Sequence, residues 1–218
     1  MSRLFETTVI NGMKLDNRFV RSATWEGMAA DDGGITPKLE ETYAALAGGG
    51  VGMIITSHAY IRRDGQATPK QIGIYKDELI SGLSSLTSAV HERGGRVVAQ
   101  LAHAGTFAAE QLLGQPPLAV SNYEGLSKTP RREITGNDID GIVSDYGRAA
   151  ARAREAGFDG VQLHAAHGYL LSQFLSPAFN RRKDGYGGAI GNRVRVCLEA
   201  VRAVRASAGK NYPVLIKL

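Results

Sequence analysis

The stretch EAGFDGVQLHAAHG, residues 155–168, closes a helix-like run on a glycine, spends two residues on a turn, and enters a short run in which Val161 and Leu163 flank Gln162. Glycine is a common residue just past a helix end, and an apolar run that follows at once reads as a buried strand. The same joint recurs in AGGGVGMII (47–55) and ERGGRVVAQL (92–101). Repeated helix–glycine–strand units with short connections predict a parallel sheet with right-handed crossovers. The strands expected are RFVRSAT (18–24), VGMIITSHAYI (51–61), RVVAQLAHAG (96–105), DGVQLHAAHG (159–168) and YPVLIKL (212–218). Their near-continuous apolar character is that of strands covered by helices.

The helices between them carry their own start and stop signals. TPKLEETYAALAGGG opens on Thr36 and Pro37, and DELISGLSSLTSAVHERGG and DIDGIVSDYGRAAARAREAG both end at glycine. In GNRVRVCLEAVRAVRASAG, Val194, Leu198 and Val201, with Val204 or Arg205 one turn further on, recur at helical spacing and are the expected buried face.

A doubly wound sheet and a (β/α)8 barrel both satisfy this grammar. No strand is followed by the glycine-rich G-x-G-x-x-G turn of a dinucleotide fold, since LAGGGVG precedes its strand. Thr24, His58, Gln100, His103, Gln162, His164 and Lys217 fall in or just after the expected strand ends, which is the face where barrel enzymes assemble their chemistry. The fold class expected is therefore α/β, a (β/α)8 TIM-barrel type. Five strands are found where a barrel has eight, and FAAEQLLGQPPLAVSNYEGLSKTPRREITG and GYLLSQFLSPAFNRRKDGYGGAIGNR occupy long connections. Residues 1–218 are expected to be the N-terminal portion of one barrel domain, truncated after about five strands.

The composition narrows the partners. With 218 residues, 43% hydrophobic and 22% charged, the chain has material for a substantial core. The net charge of +5 is spread over helices and loops without a dense basic tract, so nucleic acid is not the expected partner. No apolar run reaches the length of a membrane span, the N-terminus lacks a signal-like core, and the only cysteine is Cys197; a cytoplasmic location is expected. An exposed apolar edge at the fifth strand favours self-association, so a homo-oligomer is expected.

His164 and His167 stand three residues apart, whereas two ligands on one strand would stand two apart, so a metal site is not expected. Lys217 ends an apolar strand and suits either Schiff-base chemistry or the neutralisation of an anionic ligand. The two histidines are suited to donating to one carbonyl oxygen, and Tyr169, two residues on, to delivering a proton. The plainer alternative is a pair of histidines satisfied within a loop above a packed tyrosine.

The run HAAHGYLLSQFLSPAFNRRKDGYGG (164–188), with its S-P-x-x-N-x-R-x-D-x-Y-G-G spacing, resembles the old yellow enzyme, or NADH:flavin oxidoreductase, family of FMN-containing barrels. NRFVRSAT, GMIITSHAYI, VVAQLAHAG and VLIKL extend the resemblance over essentially the whole chain. The resemblance implies FMN as cofactor and NADH or NADPH as reductant, with hydride passed on to an activated, enone-type alkene. It implies that Ala23 and Thr24 meet the flavin edge, that His58 contacts the cofactor through its backbone, that Gln100 reads the pyrimidine edge, and that Lys217 stands where charge builds on reduction. His164 and His167 would hold the substrate carbonyl, Tyr169 would donate the proton, and Glu26 would border the substrate. Thr24 stands where the thermophilic-like branch often carries cysteine, and His58 is bulkier than the usual residue at its place. The family's phosphate grip belongs to strands seven and eight. Other functions compatible with the residues are a Schiff-base or metal-assisted barrel lyase, and an inactive barrel portion serving as a binding or folding module.

Overall fold

The structure is a computed structural model and describes residues 3–218. The chain begins with a hairpin, β1 (Thr8–Ile10) and β2 (Met13–Leu15), then runs through β3 (Val20–Arg21), α1 (Pro37–Gly48), β4 (Met53–Tyr60), α2 (Ile80–His91) and β5 (Val97–Ala102). A long excursion carries α3 (Glu110–Leu113), β6 (Leu118–Ala119) and β7 (Arg132–Glu133) before α4 (Gly136–Glu155) and β8 (Gly160–His164). Two short helices, α5 (Leu170–Leu175) and α6 (Ile190–Arg193), precede α7 (Arg195–Ala208) and β9 (Val214–Lys217). The order β3-β4-β5-β8-β9 makes a five-stranded sheet, parallel throughout, whose strands are the five expected from the sequence. The first is shorter than expected, with only Val20 and Arg21 in the ladder.

The helix ends follow their local chemistry. Thr36 caps α1 by accepting from the Leu39 amide, with Pro37 in the first turn. Thr135 and Asp138 form a reciprocal capping box on α4. The seam of α7 keeps Val204 from the expected face but is shifted elsewhere: Val196, Cys197 and Ala200 are buried with it, whereas Leu198 is 45% exposed. The helix is turned so that Ala203 and Ser207 meet Gly147 of α4, where even a methyl group would approach Ser207 Oγ to 2.9 Å. Close approach at that glycine selects the face, and Val194 and Val201 are left partly buried beside it.

The sheet has two sides. One packs against α1, α2, α4 and α7 in the large core. On the other, Met53, Ile55 and Val98 meet Met13 and Leu15, so the N-terminal hairpin plugs the lower interior of the curved sheet. Asn11 and Gly12 turn that hairpin with φ of 44° and 87°, the positive pair a type I′ turn demands. TVINGMKL carries this signal in plain form, an Asn-Gly between alternating apolar residues.

Among the described residues, no helix is long and apolar enough to cross a membrane. Gly52, immediately before β4, lies under the Asn17 carbonyl, and an added Cβ would sit 2.3 Å from that oxygen. Gly52→Ala is therefore expected to destabilise the fold by about 1–3 kcal/mol, the usual cost of overpacking, measured as a lowered denaturant midpoint with an unchanged slope.

Candidate active site

Strand register determines which side chains share a surface. Gln100 is paired with Gln162, and His164 with Lys217. Because alternate residues face the same way, Val98 and Gln100, then Gln162 and His164, then Leu215 and Lys217 line the interior side above the apolar plug. Gln100 Nε2 donates to Gln162 Oε1 at 2.7 Å in a fully buried row. Gln162 was among the polar strand-end residues but no role pointed to it; only the cross-strand pairing brings it to Gln100.

β4 enters this surface through a bulge. Ile55 pairs with Val98, but the next pair is His58 with Gln100, so three steps on β4 match two on β5. Without the extra residue Ser57 would face inward; with it, His58 does. The groups freed by the bulge are satisfied: Thr56 Oγ1 accepts from the Gln100 amide at 3.1 Å, and Tyr43 Oη accepts from the Ser57 amide at 2.9 Å. Tyr43 then donates to Glu26 Oε1 at 2.8 Å, and the same oxygen pairs with Arg21 at 2.7 Å. Glu26, expected beside the substrate, is thus an anchor for this corner, with its side chain only 6% exposed. A carboxylate placed against a buried phenol and a guanidinium is held by both. The His58 carbonyl, expected on the cofactor, accepts from Gln71 Nε2 at 2.8 Å, and it is the ring that turns to the site.

His164 ends β8 and the chain then turns sharply, with His167 and Gly168 at φ of 56° and 73°. The turn is braced by Ala165 N donating to Lys217 O at 2.9 Å and by Leu170 N donating to His103 O at 2.9 Å. Buried Gln173 adds bonds to the Ala104 and Gly168 carbonyls, at 3.0 and 2.6 Å. The His164 and His167 rings meet edge to face at 5.0 Å, and His164 and Tyr169 also lie 5.0 Å apart. Tyr169 Oη is 3.3 Å from His58 Nε2. Four aromatic groups from β4 and the β8 turn therefore share one cluster.

Not every expected strand-end group joins it. His103 is wholly buried, its ring packed on Gly65 and its Nε2 3.3 Å from Asp64 Oδ1, so it belongs to the scaffold. Thr24 is exposed and donates to the Ser22 carbonyl at 3.2 Å, while Ala23 packs against the apolar plug. Lys217 Nζ lies 3.3 Å from Ser22 Oγ, across the sheet from its own strand.

The electrostatics keep the His58 and His164 rings neutral. Burial, reinforced by His167, His58 and Lys217, pulls His164 down to about 3. Burial likewise pulls His58 down to about 4, against the opposing pull of the Glu26 carboxylate. Burial raises the Tyr169 phenol above its ordinary value. His164 Nδ1 is buried and has no hydrogen-bond partner among the described residues. A buried unpartnered polar atom is costly, and this one stands in the cluster of His167, His58 and Tyr169. That orphan, the amide row of Gln100 and Gln162 and the lysine at Lys217 fit a planar polar ring with an anionic edge beside a carbonyl ligand.

A parallel β/α sheet with its polar residues gathered over the strand C-terminal ends defines a portion of a (β/α)8 barrel enzyme. The model for the NADH:flavin oxidoreductase / NADH oxidase family matches residues 3–218, and the chain belongs to that family, whose flavin is FMN and whose reductant is a reduced nicotinamide. It is 40% identical over 220 residues to a "Metal reductase" of Desulforamulus reducens, covering all of this chain and 32% of that protein. It is 38% identical over 208 residues to an "NADPH dehydrogenase" of Listeria welshimeri, covering 94% and 60% respectively. Among solved structures, the old yellow enzyme homologue of Zymomonas mobilis superposes with a TM-score of 0.90 at 32% identity, over 99% of this chain and 62% of that one. Morphinone reductase in complex with tetrahydroNAD gives the same TM-score of 0.90 and 32% identity, covering 63% of its chain. The chain thus spans between about a third and three-fifths of the length of these relatives.

Neutral buried histidines make stability depend on pH. The unfolded rings titrate near 6.5, above their folded values of about 3 and about 4. Below pH 6.5 the unfolded chain therefore binds more protons, and stability falls as pH drops toward 4. The slope should approach about 1.4 kcal/mol per pH unit for each ring that stays neutral. Urea midpoints between pH 7 and pH 4 should fall more gently for His164→Gln than for the parent chain.

Proposed function

We propose that residues 1–218 belong to an FMN-dependent NAD(P)H oxidoreductase that reduces the double bond of an activated alkene of the enone type. The observation that carries the proposal is the buried, unpartnered Nδ1 of His164 within 5.0 Å ring contacts of both His167 and Tyr169. When bound, FMN supplies the hydride that passes from the reduced nicotinamide to the alkene.

The roles of the chain's own residues follow. His164 and His167 donate to the substrate carbonyl oxygen and stabilise the negative charge that grows there, as paired donors do in an oxyanion hole. Tyr169, a neutral phenol because burial raises its pKa, gives its proton to the α carbon. Gln100 and Gln162 offer an amide edge to the pyrimidine side of the flavin, and the Lys217 ammonium offsets negative charge on that ring. Ala23 and Thr24 border the ring from the end of β3. A small-molecule substrate is consistent with this cluster. A cytoplasmic location suits the lone, buried Cys197, and self-association is part of the same proposal.

The test is made on the purified, FMN-loaded protein that carries residues 1–218, through its visible spectrum and through titration with a para-substituted phenol. His164→Ala should weaken phenol binding about tenfold or more while flavin content stays near that of the parent; flavin loss with unchanged phenol affinity would refute the assignment. Tyr169→Phe should slow reduction of 2-cyclohexenone about 100-fold and spare oxidation of the nicotinamide. If both half-reactions fell together, Tyr169 would not be the donor. Borohydride with a carbonyl substrate should leave Lys217 unmodified by mass, whereas trapping would favour the Schiff-base alternative.

A further inference from the structure

His58 has no role in the proposal above, and the fold goes to some length to bring its ring into the site. An extra residue in β4 breaks the alternation of the strand between Ile55 and His58. The Thr56 hydroxyl and the Tyr43 phenol both fill hydrogen bonds at the bulge, and Tyr43 is itself tied to Glu26 and Arg21. The outcome is one contact inside the site: His58 Nε2 lies 3.3 Å from Tyr169 Oη, with the two rings tilted at 58° and 5.5 Å apart. A bulge next to an active site commonly re-aims one side chain, and this one aims an imidazole at a phenol.

Resting on the reading of Tyr169 as proton donor, we infer that His58 is its positioning residue: Nε2–H of the neutral imidazole donates to Tyr169 Oη, leaving the phenolic hydrogen free to face the substrate. The tautomer follows from the task. If the phenol instead donated to Nε2, its proton would point away from the substrate. With Nε2–H as donor, the O–H bond of Tyr169 breaks and a C–H bond forms at the substrate α carbon. The phenolate left behind keeps the imidazole hydrogen bond until a proton from bulk water restores the phenol. His58 ends the cycle as it began, neutral and with the same proton on Nε2.

Neutrality of the ring depends on its surroundings. Glu26, from the loop after β3, favours the imidazolium; His167, across the β8 turn, disfavours it; burial outweighs both and holds His58 at about 4. His164 and Tyr169 are the other titratable groups of the cluster, Arg21 and Tyr43 stand behind Glu26, and Lys217 stands beside His164. A neutral donor also acts in a definite direction on Tyr169. Hydrogen bonding to the charged form favours it, so His58 offsets part of the rise that burial imposes on the phenol.

The role is separable from simple support of the fold. In the FMN-loaded chain, His58→Ala should slow reduction of 2-cyclohexenone about tenfold or more, with nicotinamide oxidation and flavin content within about twofold of the parent. The alkaline limb of the alkene half-reaction should move to higher pH, because the phenol has lost the donor that stabilised its anion. His58→Gln, which keeps an N–H, should recover much of the rate and return the limb. Independently of turnover, the phenolate difference spectrum between parent and Tyr169→Phe should titrate at higher pH when both carry His58→Ala. In a Tyr169→Phe background, His58→Ala should cost nothing further.

Equal loss in both half-reactions, an unmoved limb, or an additive double variant would each overturn the role of His58. A slow Tyr169→Phe with His58→Ala at parent rate would overturn this inference and leave Tyr169 as donor. A Tyr169→Phe chain with undiminished alkene reduction would overturn the donor assignment itself, and this inference with it.

Discussion

The parallel register of the central sheet is the constraint on which everything else in this molecule depends. Side chains alternate along a strand, so once Val98 is committed to the interior, Gln100 follows it, and pairing carries the commitment to Gln162 and then to Leu215. One further step along β8 and β9 brings His164 and Lys217 to the same side. The interior is thereby graded along the strands. Its lower tier is apolar and closed by Met13 and Leu15 of the hairpin, and its upper tier carries amides, imidazoles and an ammonium. Polar groups can lie at that depth only if they bond to one another or to a ligand. The Gln100–Gln162 pair takes the first course, and His164 Nδ1 has no partner among the described residues.

The S-P-x-x-N-x-R-x-D-x-Y-G-G part of the sequence, residues 176–188, holds the site rather than forming it. Asn180 donates to the carbonyls of Phe174 and Tyr186, each at 2.8 Å, and Arg182 reaches the Val120 and Ile134 carbonyls at 3.1 and 2.6 Å. Gly187 lies so close to the Arg182 carbonyl that a Cβ would fall 2.0 Å from it. These bonds fold the long connection back on itself and fix α5, whose N-terminal residue follows Tyr169 directly. The S-P-x-x-N-x-R-x-D-x-Y-G-G spacing thus serves the placement of a phenol several residues upstream. Buried Gln173 does the same from within α5, and no spacing in the sequence marks it out.

Holding imidazoles neutral is a second consequence of the architecture. Desolvation is the largest influence on both His58 and His164, opposed at His58 by Glu26 and reinforced at His164 by His167, His58 and Lys217. Neutral rings donate one hydrogen bond each and leave the other nitrogen to the protein or to a ligand, which suits recognition of a carbonyl better than a pair of repelling cations would. The local structure that produces this costs stability: a left-handed backbone at His167, an unpartnered nitrogen on His164, and a strand bulge beneath His58. Such departures from regular structure gather at functional sites.

The order of helices and strands was legible in the chain because each joint carries its own local signal. Thr36 with Pro37 begins a helix, Gly157 follows the end of another, and the short runs that come after such glycines, MII at 53–55 and VVA at 97–99, have the apolar character of buried strands. The histidine pair and Tyr169 were legible for a similar reason, since their spacing follows from one strand end and one turn. What sequence could not reveal is whatever depends on counting across strands. The bulge in β4 changes the facing of every later residue by one, and nothing within MIITSHAY announces it. The partnership of Gln100 with Gln162 and the retreat of Glu26 to Arg21 and Tyr43 are long-range pairings of the same kind. So is the choice of Val196 and Cys197 over Leu198, made where α7 meets the glycine of a distant helix. Sequence alone determined the elements and the chemical inventory at their ends; tertiary structure decided which members of that inventory face one another, because facing is set by register and packing between segments far apart in the chain.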